Sequence, residues 1–230
     1  MLRLVLPKGS LEKATLQLFE DADLAVVRSS EVDYRAGIDD PRVIDVTILR
    51  PQEIPRYVAR GYFDLGITGR DWIEETGSEV VSLTQLHYSK ATARPVNIVV
   101  AVPDTSPVEA VTDLKPGTRV STEFPELTRR FFEAKNLDVD IQLSYGATEA
   151  KVPDIVDAIV ELTETGSSLR AAGMKIIDTI LVSYTELVAN KEAYAVETVV
   201  PKSDINTLIP ALKDQGATDI IELPISKIVH

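Results

Sequence analysis

Short apolar runs alternate along the chain with stretches whose apolar residues recur every three or four positions. Leu2–Leu6 predicts a short buried strand, and Leu11–Asp21 has the spacing of an amphipathic helix with Ser10 as its N-cap. Val43–Leu49 predicts a second strand, and Pro51 stands where the first turn of the next helix begins. Further strands are predicted at 63–68, 96–102, 139–143, 155–160, 175–182 and 186–189, and further helices at 70–76 and 126–135. This alternation predicts parallel α/β layers.

The loops after the predicted strands are the first candidate binding sites, because open α/β sheets bind ligands at the carboxyl ends of their strands. In "LPKGS", Lys8 follows a buried strand, and Gly9 lets a ligand approach the backbone. Arg50 holds the equivalent position after the next strand. Each cation alone is most simply a solvated charge, but two cations at successive strand ends favour a site for anions.

Two other glycine-containing loops lie at predicted strand ends. "DLGITGRD" offers Thr68, Gly69 and Asp71, and the same residues are typical of a tight turn with an acid near a helix start. "TETGSS" has two interpretations. It is either a polar turn in which Ser167 or Ser168 caps a helix, or a cradle of backbone N–H groups and hydroxyls for a phosphate.

Two carboxylates upstream of "TETGSS" favour the phosphate cradle. Asp157 and Glu161 stand four residues apart just before this loop. A loop that binds phosphate at a helix N-terminus, beside acids that hold vicinal hydroxyls, suits a sugar phosphate. Without a phosphate the same two acids would be an ordinary solvated face. Taken together, the three loops and the two cations predict a cleft for polyphosphates.

Composition and charge limit the possible functions. The 230 residues are 44% apolar, and their formal net charge of −12 argues against nonspecific binding to nucleic acid or to an anionic membrane. Cysteine is absent, which excludes disulfides and thiolate chemistry. No apolar run is long enough to span a bilayer, and "PKG" interrupts the N-terminal apolar run. We therefore expect a cytoplasmic protein without a secretory signal.

Common nucleotide and catalytic motifs are absent from the chain. It contains neither G-x-x-x-x-G-K-[S/T] nor G-x-G-x-x-G, so neither a P-loop nor a Rossmann fingerprint is present. Of the two histidines, His87 is alone in the body of the chain and His230 is its last residue. A Ser-His-Asp triad or a histidine-rich metal site is therefore not expected. Trp72 is interpreted as a packing residue.

Residues 196–230 predict a compact strand–helix–strand unit. Apolar residues at i, i+3, i+4 and i+7 from Ile205 form one helical stripe, and "AVETVV" and "TDIIELPI" flank it as strands. Ser203 and Gly216 are positioned to cap the helix, and Pro210 is expected to kink it. Two strands and one helix are too little to be stable alone. We therefore expect this unit to dock on the body or on another copy of the chain.

The chain closely resembles the ATP phosphoribosyltransferase family in an ordered set of motifs, "LPKGSLEKA", "LRPQEIPRYVARGYFDLGITGRDWIEE", "ELTRRFFE", "GATEA" and "DAIVELTETGSSLRAAG". The resemblance covers roughly the first 190 residues. It implies the first reaction of histidine biosynthesis: N1 of ATP is joined to C1 of phosphoribosyl pyrophosphate, and pyrophosphate is released with Mg²⁺ bound. It also implies an α/β fold with a two-domain periplasmic-binding-protein-like (type II) core and the active site between the domains.

The same resemblance implies roles for individual residues. The loop that holds the 5′-phosphate of phosphoribosyl pyrophosphate would comprise Thr165, Gly166, Ser167, Ser168 and Leu169, and the catalytic acids near the ribose hydroxyls would be Asp157 and Glu161. Pyrophosphate and the ATP phosphates would lie against Lys8, Gly9, Arg50, Thr68, Gly69 and Asp71. No protein side chain is assigned to a metal. Ser10 stands where family members often have arginine, which removes one expected phosphate contact.

The resemblance also implies a domain organisation. Catalytic domain I would comprise 1–90 plus 177–195, and catalytic domain II, with the phosphoribosyl loop, 91–176. Residues 196–230 resemble the end of an ACT-like, histidine-binding regulatory domain of the long form, as a β-α-β remnant. "LVANKEAY" runs straight into "AVETVV", where the long form has several dozen further residues. We expect weakened or absent histidine inhibition.

Two questions stay open at this point. A homo-oligomer is expected, either a dimer or a hexamer, because the tail unit needs a surface to pack on. The function also has an alternative, because a fold does not determine an activity. A two-lobed protein that binds a small anion without catalysis would share the same fold and the same cation-bearing loops.

Overall fold

The computed structural model describes residues 1–30, 32–88, 95–191 and 205–214. The chain divides into two compact units, Met1–Tyr194 and Ala195–His230. The described part of the second unit is the helix Ile205–Asp214, which contains Pro210. The strands and caps that the sequence predicts on either side of this helix lie outside the described residues.

The first unit contains two β-sheets, and the larger has seven strands among the described residues. These are β1 (Leu2–Pro7), β2 (Val26–Val27), β3 (Arg35–Ile38), β4 (Val43–Leu49), β5 (Leu65–Gly69), β6 (Val80–Leu86) and β12 (Thr185–Asn190). Their order is β2-β3-β4-β1-β5-β12-β6. Strand β1 runs parallel to β4 and β5, whereas β12 runs antiparallel to both of its neighbours, β5 and β6.

The second sheet is built from one continuous part of the chain. Its strands are β7 (Val96–Pro103), β8 (Thr118–Thr122), β9 (Val139–Leu143), β10 (Ala158–Thr163) and β11 (Met174–Ser183), in the order β11-β7-β10-β8-β9. Strands β8, β9 and β10 are parallel, and β7 is antiparallel to β10 and β11. The chain thus crosses from the first sheet to the second and back again. This confirms the predicted α/β core, which is built on two sheets.

Six helices are described, and local sequence explains several of their ends. They are α1 (Glu12–Asp21), α2 (Ile54–Ala59), α3 (Arg70–Thr76), α4 (Pro125–Ala134), α5 (Ser167–Ala171) and α6 (Ile205–Asp214). Proline stands in the first turn of α2 and of α4, and left-handed Gly77 ends α3. No helix among the described residues is long and apolar enough to cross a membrane.

The side chains of β1 are apolar on both faces of the strand, which shows that the first sheet is covered on both sides. Leu4 and Leu6 join a cluster with Ile67 on one face, whereas Val5 packs with Ile54 of α2 on the other. Successive side chains of a strand point to opposite faces, so a fully apolar run indicates a sheet covered on both sides. Complete burial of each such side chain contributes about 1.5–3 kcal/mol to folding.

The structure corrects three expectations about the elements. The sheets are mixed rather than parallel, because β11 and β12 run antiparallel to their neighbours, and so do β2 and β3. Ser10 is not the N-cap of α1, which begins at Glu12 with no side-chain cap. Instead the Glu12 carboxylate accepts the Gly9 N–H at 3.1 Å. Residues 177–183 pair with β7 in the second sheet, so the return to the first sheet occurs at Tyr184 and not at 177.

Candidate active site

The "TETGSS" loop lies between the end of β10 and the start of α5, at the carboxyl edge of the second sheet. Thr163 Oγ1 accepts the backbone N–H of Gly166 at 2.8 Å, which turns the chain sharply after the strand. The hydroxyls of Thr165 and Ser167 lie 2.9 Å apart and are exposed. Leu169 is 3% exposed and anchors the short helix in the core. The loop therefore presents hydroxyl and N–H donors to solvent on a fixed base.

Gly166 is required by the shape of this loop. Its φ of +72° lies in the left-handed region, which glycine adopts without a steric penalty. A Cβ atom at this position would lie 2.9 Å from Arg170 Nη1 and 3.2 Å from Ile176 Cδ1. The Arg170 guanidinium also donates to the Thr165 carbonyl at 3.1 Å, which supports the loop from behind.

Two carboxylates meet beside the loop. Val160 of β10 is level with Thr122 of β8 in a parallel pair, so the next residues, Glu161 and Glu123, are neighbours at the sheet edge. Burial, followed by the neighbouring Glu161 carboxylate, raises the pKa of Glu123, and the charge of Lys151 opposes this shift. Glu123 was not among the residues predicted from the sequence, although an acid directly after "RVST" was the available signal.

A lysine completes this edge of the second sheet. Lys151 Nζ donates to the hydroxyl of Ser144 at 2.5 Å and lies 3.4 Å from that of Ser121. The Ser144 hydroxyl is also 2.9 Å from that of Thr148. The three hydroxyl residues are buried, so they fix the position of the ammonium group. A cation fixed by buried hydroxyls thus acts on the Glu123 carboxylate of the acid pair, an arrangement that the sequence did not predict.

Asp157 does not join this group. It precedes β10, whereas the loop follows the same strand, and each strand residue advances about 3.3 Å. Its carboxylate forms an ion pair with Arg119 at 2.7 Å and accepts the Arg119 backbone N–H at 2.9 Å. The Arg119 guanidinium lowers the pKa of Asp157 by hydrogen bonding. We therefore correct the expected Asp157–Glu161 pair: the structure brings Glu161 to the loop with Glu123 and not with Asp157.

The cations of the first sheet meet at its carboxyl edge. Lys8 follows β1 and Arg50 follows the parallel strand β4, and the site of a Cβ on Gly9 lies 3.8 Å from Arg50 Nη1. Lys8 Nζ lies 4.1 Å from the centre of the Tyr34 ring, a distance at which a cation is attracted to an aromatic face. Gly9 and Arg50 are exposed. Lys8 and Arg50 thus follow neighbouring parallel strands, and their binding of phosphate stays a prediction.

The remaining predicted residues lie at the end of β5, and they are buried. Thr68 is fully buried and donates its hydroxyl to the Pro51 carbonyl at 2.9 Å. A Cβ on Gly69 would lie 2.0 Å from Asp71 Oδ1, so only glycine fits there. The Asp71 carboxylate is buried, which raises its pKa, and the Ser183 hydroxyl donates to it at 2.6 Å. Thr68 is thus a structural contact, whereas Asp71 borders a cleft.

This cleft lies within the first unit and has a cavity volume of about 80 Å³. Its walls come from both sheets: Asp71 and Trp72 belong to α3 of the first layer, and Val96 and Leu162 belong to the second. Trp72 also stacks at 4.7 Å on Phe124, which agrees with its predicted packing role. Within the described ranges no group of three or more His, Cys, Asp or Glu is arranged to hold a metal ion. A cleft lined by residues of both sheets is thus present.

Comparison with known proteins identifies the family. The family model described as ATP phosphoribosyltransferase matches residues 50–214, more than half of the chain. The chain belongs to this family. The ATP phosphoribosyltransferase of Pelotomaculum thermopropionicum is 36% identical over an alignment of 289 positions, gaps included, which covers 99% of each chain. That of Chlorobium phaeovibrioides is 47% identical over 194 residues, 84% of this chain but 65% of the relative, just under two thirds of its length.

Solved structures agree with the fold. The ATP phosphoribosyl transferase (HisG:HisZ) complex from Thermotoga maritima matches 93% of this chain and 96% of its own with a TM-score of 0.73 and 24% identity. Protein AF1704 from Archaeoglobus fulgidus matches 93% of this chain and 74% of its own with a TM-score of 0.53 and 9% identity. At these identities the likeness concerns the fold alone.

The lengths of the family matches bear on the tail of this ATP phosphoribosyltransferase family member. The Pelotomaculum alignment has 289 positions, whereas this chain has 230 residues. Several dozen positions are therefore filled only in the relative. The Chlorobium match has 194 residues, as many as the first compact unit. Both lengths agree with a long-form-like chain from which a segment is missing.

Proposed function

We propose that this chain transfers the phosphoribosyl group of phosphoribosyl pyrophosphate to N1 of ATP and releases pyrophosphate. The observation that carries the proposal is the carboxyl edge of the second sheet, where the 165–168 loop adjoins Glu123 and Glu161. A phosphate needs N–H and hydroxyl donors, whereas ribose hydroxyls also need acceptors. A phosphorylated sugar needs both kinds of group within one site, and family membership supports the same substrate.

The acid pair would orient the ribose. Glu161 and Glu123 would accept hydrogen bonds from the ring hydroxyls, and a carboxylate near C1 favours the positive charge that develops there. Adenine N1 supplies the lone pair for the new C1–N bond, and pyrophosphate leaves with the electron pair of the broken C1–O bond. The protein therefore needs no nucleophile of its own. Its contribution is to position the two substrates and to stabilise charge.

The same pair fits the Mg²⁺ that the family resemblance implies. Burial and, to a smaller extent, repulsion by the Glu161 carboxylate raise the pKa of Glu123, and a cation between the two acids would relieve the repulsion. Mg²⁺ commonly binds through one or two carboxylates together with phosphate oxygens and water. Glu123 and Glu161 would hold such an ion. When bound, it supplies neutralisation of charge on the leaving pyrophosphate.

The ATP phosphates would bind to the first sheet. Lys8 and Arg50 supply adjacent positive charge, and Gly9 leaves the backbone open beside them. Gly69 and Asp71 would border the nucleotide on the wall of the cleft. Lys151 would bind the pyrophosphate of the second substrate, because its ammonium is held close to Glu123. Each substrate would thus be held mainly by one sheet.

The test is pyrophosphate release by the purified chain with ATP, phosphoribosyl pyrophosphate and Mg²⁺, with each component omitted in turn. Release that requires both substrates supports the transfer. If neither release nor N1-phosphoribosyl-ATP is detected by mass spectrometry, while calorimetry shows anion binding, the non-catalytic two-lobed binding protein becomes the better account. Family membership does not favour that alternative.

Assembly is a further part of the proposal. Val27, Val32 and Ile44 are 68%, 74% and 59% exposed near the β2–β3 edge of the first sheet, and such an apolar edge favours contact with another chain. We expect a cytoplasmic homo-oligomer, a dimer or a hexamer. The Thermotoga protein of the same fold is a HisG:HisZ complex, so a separate partner subunit is the competing arrangement. Light scattering on the purified chain alone distinguishes a self-assembled particle from a monomer.

A further inference from the structure

The carboxylate of Glu75, on helix α3, caps the N-terminus of helix α4. Glu75 lies near the end of α3, in the first layer, and is 8% exposed. Its two carboxylate oxygens accept backbone N–H groups of α4: that of Glu126 at 3.1 Å and that of Leu127 at 2.8 Å. One side chain thus bridges the two sheets through two hydrogen bonds.

Helix α4 has no cap of its own. Phe124 occupies the N-cap position and makes no side-chain cap hydrogen bond, and Pro125 has no backbone N–H to offer. The first two N–H groups of the helix are therefore those of Glu126 and Leu127, and both are satisfied by Glu75. In most helices, a Ser, Thr, Asp or Asn at the N-cap position supplies this acceptor. Here the acceptor comes from a residue 51 positions earlier than Glu126.

Neighbouring contacts bury this bridge. Glu75 itself is 8% exposed, and the Trp72 ring of α3 lies 4.7 Å from the Phe124 ring at the N-cap of α4. The Arg130 guanidinium of α4 donates to the Glu74 carbonyl of α3. A buried charge-assisted hydrogen bond is stronger than one exposed to water. We name these contacts between α3 and α4, centred on Glu75, the helix bridge.

The helix bridge connects the elements that carry the two halves of the candidate active site. Asp71, on the cleft wall of the first sheet, is one helical turn before Glu75. Glu123, of the acid pair, comes immediately before the N-cap residue Phe124 of the capped helix. A change in the length of this bridge would move the two substrate sites relative to each other.

We propose that Glu75 is a positioning residue, which fixes the separation between the ATP side and the phosphoribosyl side of the cleft. This role rests on the proposed transfer reaction. Glu75 borders α4 and not the substrates, so its loss should leave each substrate site intact within its own sheet. The attack of N1 on C1 requires both sites at the correct distance, and it should therefore be the step that suffers.

The first experiment compares Glu75→Ala and Glu75→Gln with Glu74→Gln in the full chain. Glu74 has the same chemistry on the same helix, but its carboxylate pairs with Arg70 and does not reach α4. We expect Glu75→Ala to lower kcat by about 10- to 100-fold, because small misplacements of reacting groups have effects of this size. Glu75→Gln keeps one acceptor oxygen and should lose less, while Glu74→Gln should turn over like the wild type.

A split between binding and turnover separates positioning from mere loss of structure. Calorimetry should show the phosphoribosyl pyrophosphate affinity of Glu75→Ala within about twofold of the wild type, and circular dichroism should show a folded chain. Unchanged kcat in both Glu75 variants would overturn the proposal. So would an affinity that falls in parallel with kcat in Glu75→Gln, because the site within the second sheet would then depend on the bridge.

A second experiment does not depend on activity. The chain has no cysteine, so spin labels can be introduced at single sites, Lys13→Cys on α1 and Glu133→Cys on α4, both exposed. Glu75→Ala should broaden or shift the label–label distance, and Glu74→Gln should not. An unchanged distance in Glu75→Ala would count against the bridge. If the wild type released no pyrophosphate, the transfer reaction would fail as a proposal, and these distances would still decide whether Glu75 sets the spacing.

Discussion

The hydroxyl of Ser183 donates a 2.6 Å hydrogen bond to the carboxylate of Asp71, which lies 112 residues earlier in the chain. The Ser183 oxygen also accepts the backbone N–H of Asp71 at 3.0 Å. Ser183 is the last residue of β11, and the chain returns to the first sheet directly after it. The two residues therefore join the second sheet to the first at the back of the cleft.

Replacement of this serine tests the contact. Ser183→Ala should destabilise the chain by about 1–3 kcal/mol, because a buried carboxylate then loses its hydroxyl donor. The pKa of Asp71, already raised by burial, should rise further for the same reason. Urea denaturation at neutral pH measures the loss. Ser82→Ala, on an exposed position of β6, is the matched control and should change stability little.

The phosphate-type loop predicts a specific glycine effect. Gly166→Ala should weaken phosphoribosyl pyrophosphate binding by about tenfold or more, because its Cβ would meet Arg170 and Ile176 and displace the loop donors. Gly117 has a similar φ of +80° but nothing within 4 Å of a Cβ. Gly117→Ala thus introduces the backbone strain alone, roughly 1–2 kcal/mol. Equal binding losses in the two variants, measured by calorimetry, would argue against a phosphate site at Gly166.

The two acids of the original pair should differ in their effects. Glu161→Gln should lower kcat by about 10- to 100-fold, since it removes a charge next to the proposed ribose site. Asp157→Asn breaks an exposed pair with Arg119 and should cost at most about 1 kcal/mol of stability, with turnover near that of the wild type. Steady-state kinetics at saturating substrates decide the matter. A larger loss in Asp157→Asn than in Glu161→Gln would restore the assignment made from sequence.

Acid stability should depend on Asp64. Hydrogen bonding from Arg3 lowers the pKa of Asp64 below its ordinary value of 3.8. A carboxyl whose pKa is lower in the folded state contributes stability above the unfolded value and loses it as the pH falls through the folded value. Asp64→Asn should therefore be about 1 kcal/mol less stable at pH 7, and the difference should shrink below about pH 4.

Urea midpoints across the acid range check the Asp64 prediction. Asp45→Asn is the control, because the Arg35 guanidinium that pairs with Asp45 is 71% exposed, compared with 44% for Arg3. Its stability difference from the wild type should be smaller at every pH. A constant difference between Asp64→Asn and the wild type from pH 7 to pH 2 would show that the carboxylate charge contributes nothing.

Histidine should inhibit this chain weakly or not at all. Several dozen positions of the Pelotomaculum relative have no counterpart here, and the sequence assigns them to the regulatory part. Calorimetry with histidine and the full chain is the direct measurement, with phosphoribosyl pyrophosphate as the positive control for an intact site. Histidine binding in the micromolar range, about −8 kcal/mol, would contradict the expectation.

The sequence predicted the helices and most of the buried strands, because each is set by local periodicity, but it missed four strands of the structure: β2, β3, β6 and β8. It did not predict Glu123 beside Glu161, since that contact depends on the register of β8 against β10. The error over Asp157 has a related cause. Four residues of a strand span about 13 Å, too far for two acids to hold one ribose. The capping role of Glu75 was not predictable from the sequence for the same reason, because Glu75 lies on α3 and its partners lie on α4.

The order in which the strands occur along the chain has a consequence for synthesis on the ribosome. Strand β12 lies in the first sheet between β5 and β6, but it follows the whole second sheet in sequence. The first sheet therefore cannot be completed until Asn190 has left the ribosome, and until then β5 and β6 lack β12 as their pairing partner. All strands of the second sheet come from one uninterrupted stretch, so this sheet can form before then. We therefore expect the second sheet to fold first, although it is synthesised later than most of the first, and to position β12 for pairing with β5 and β6.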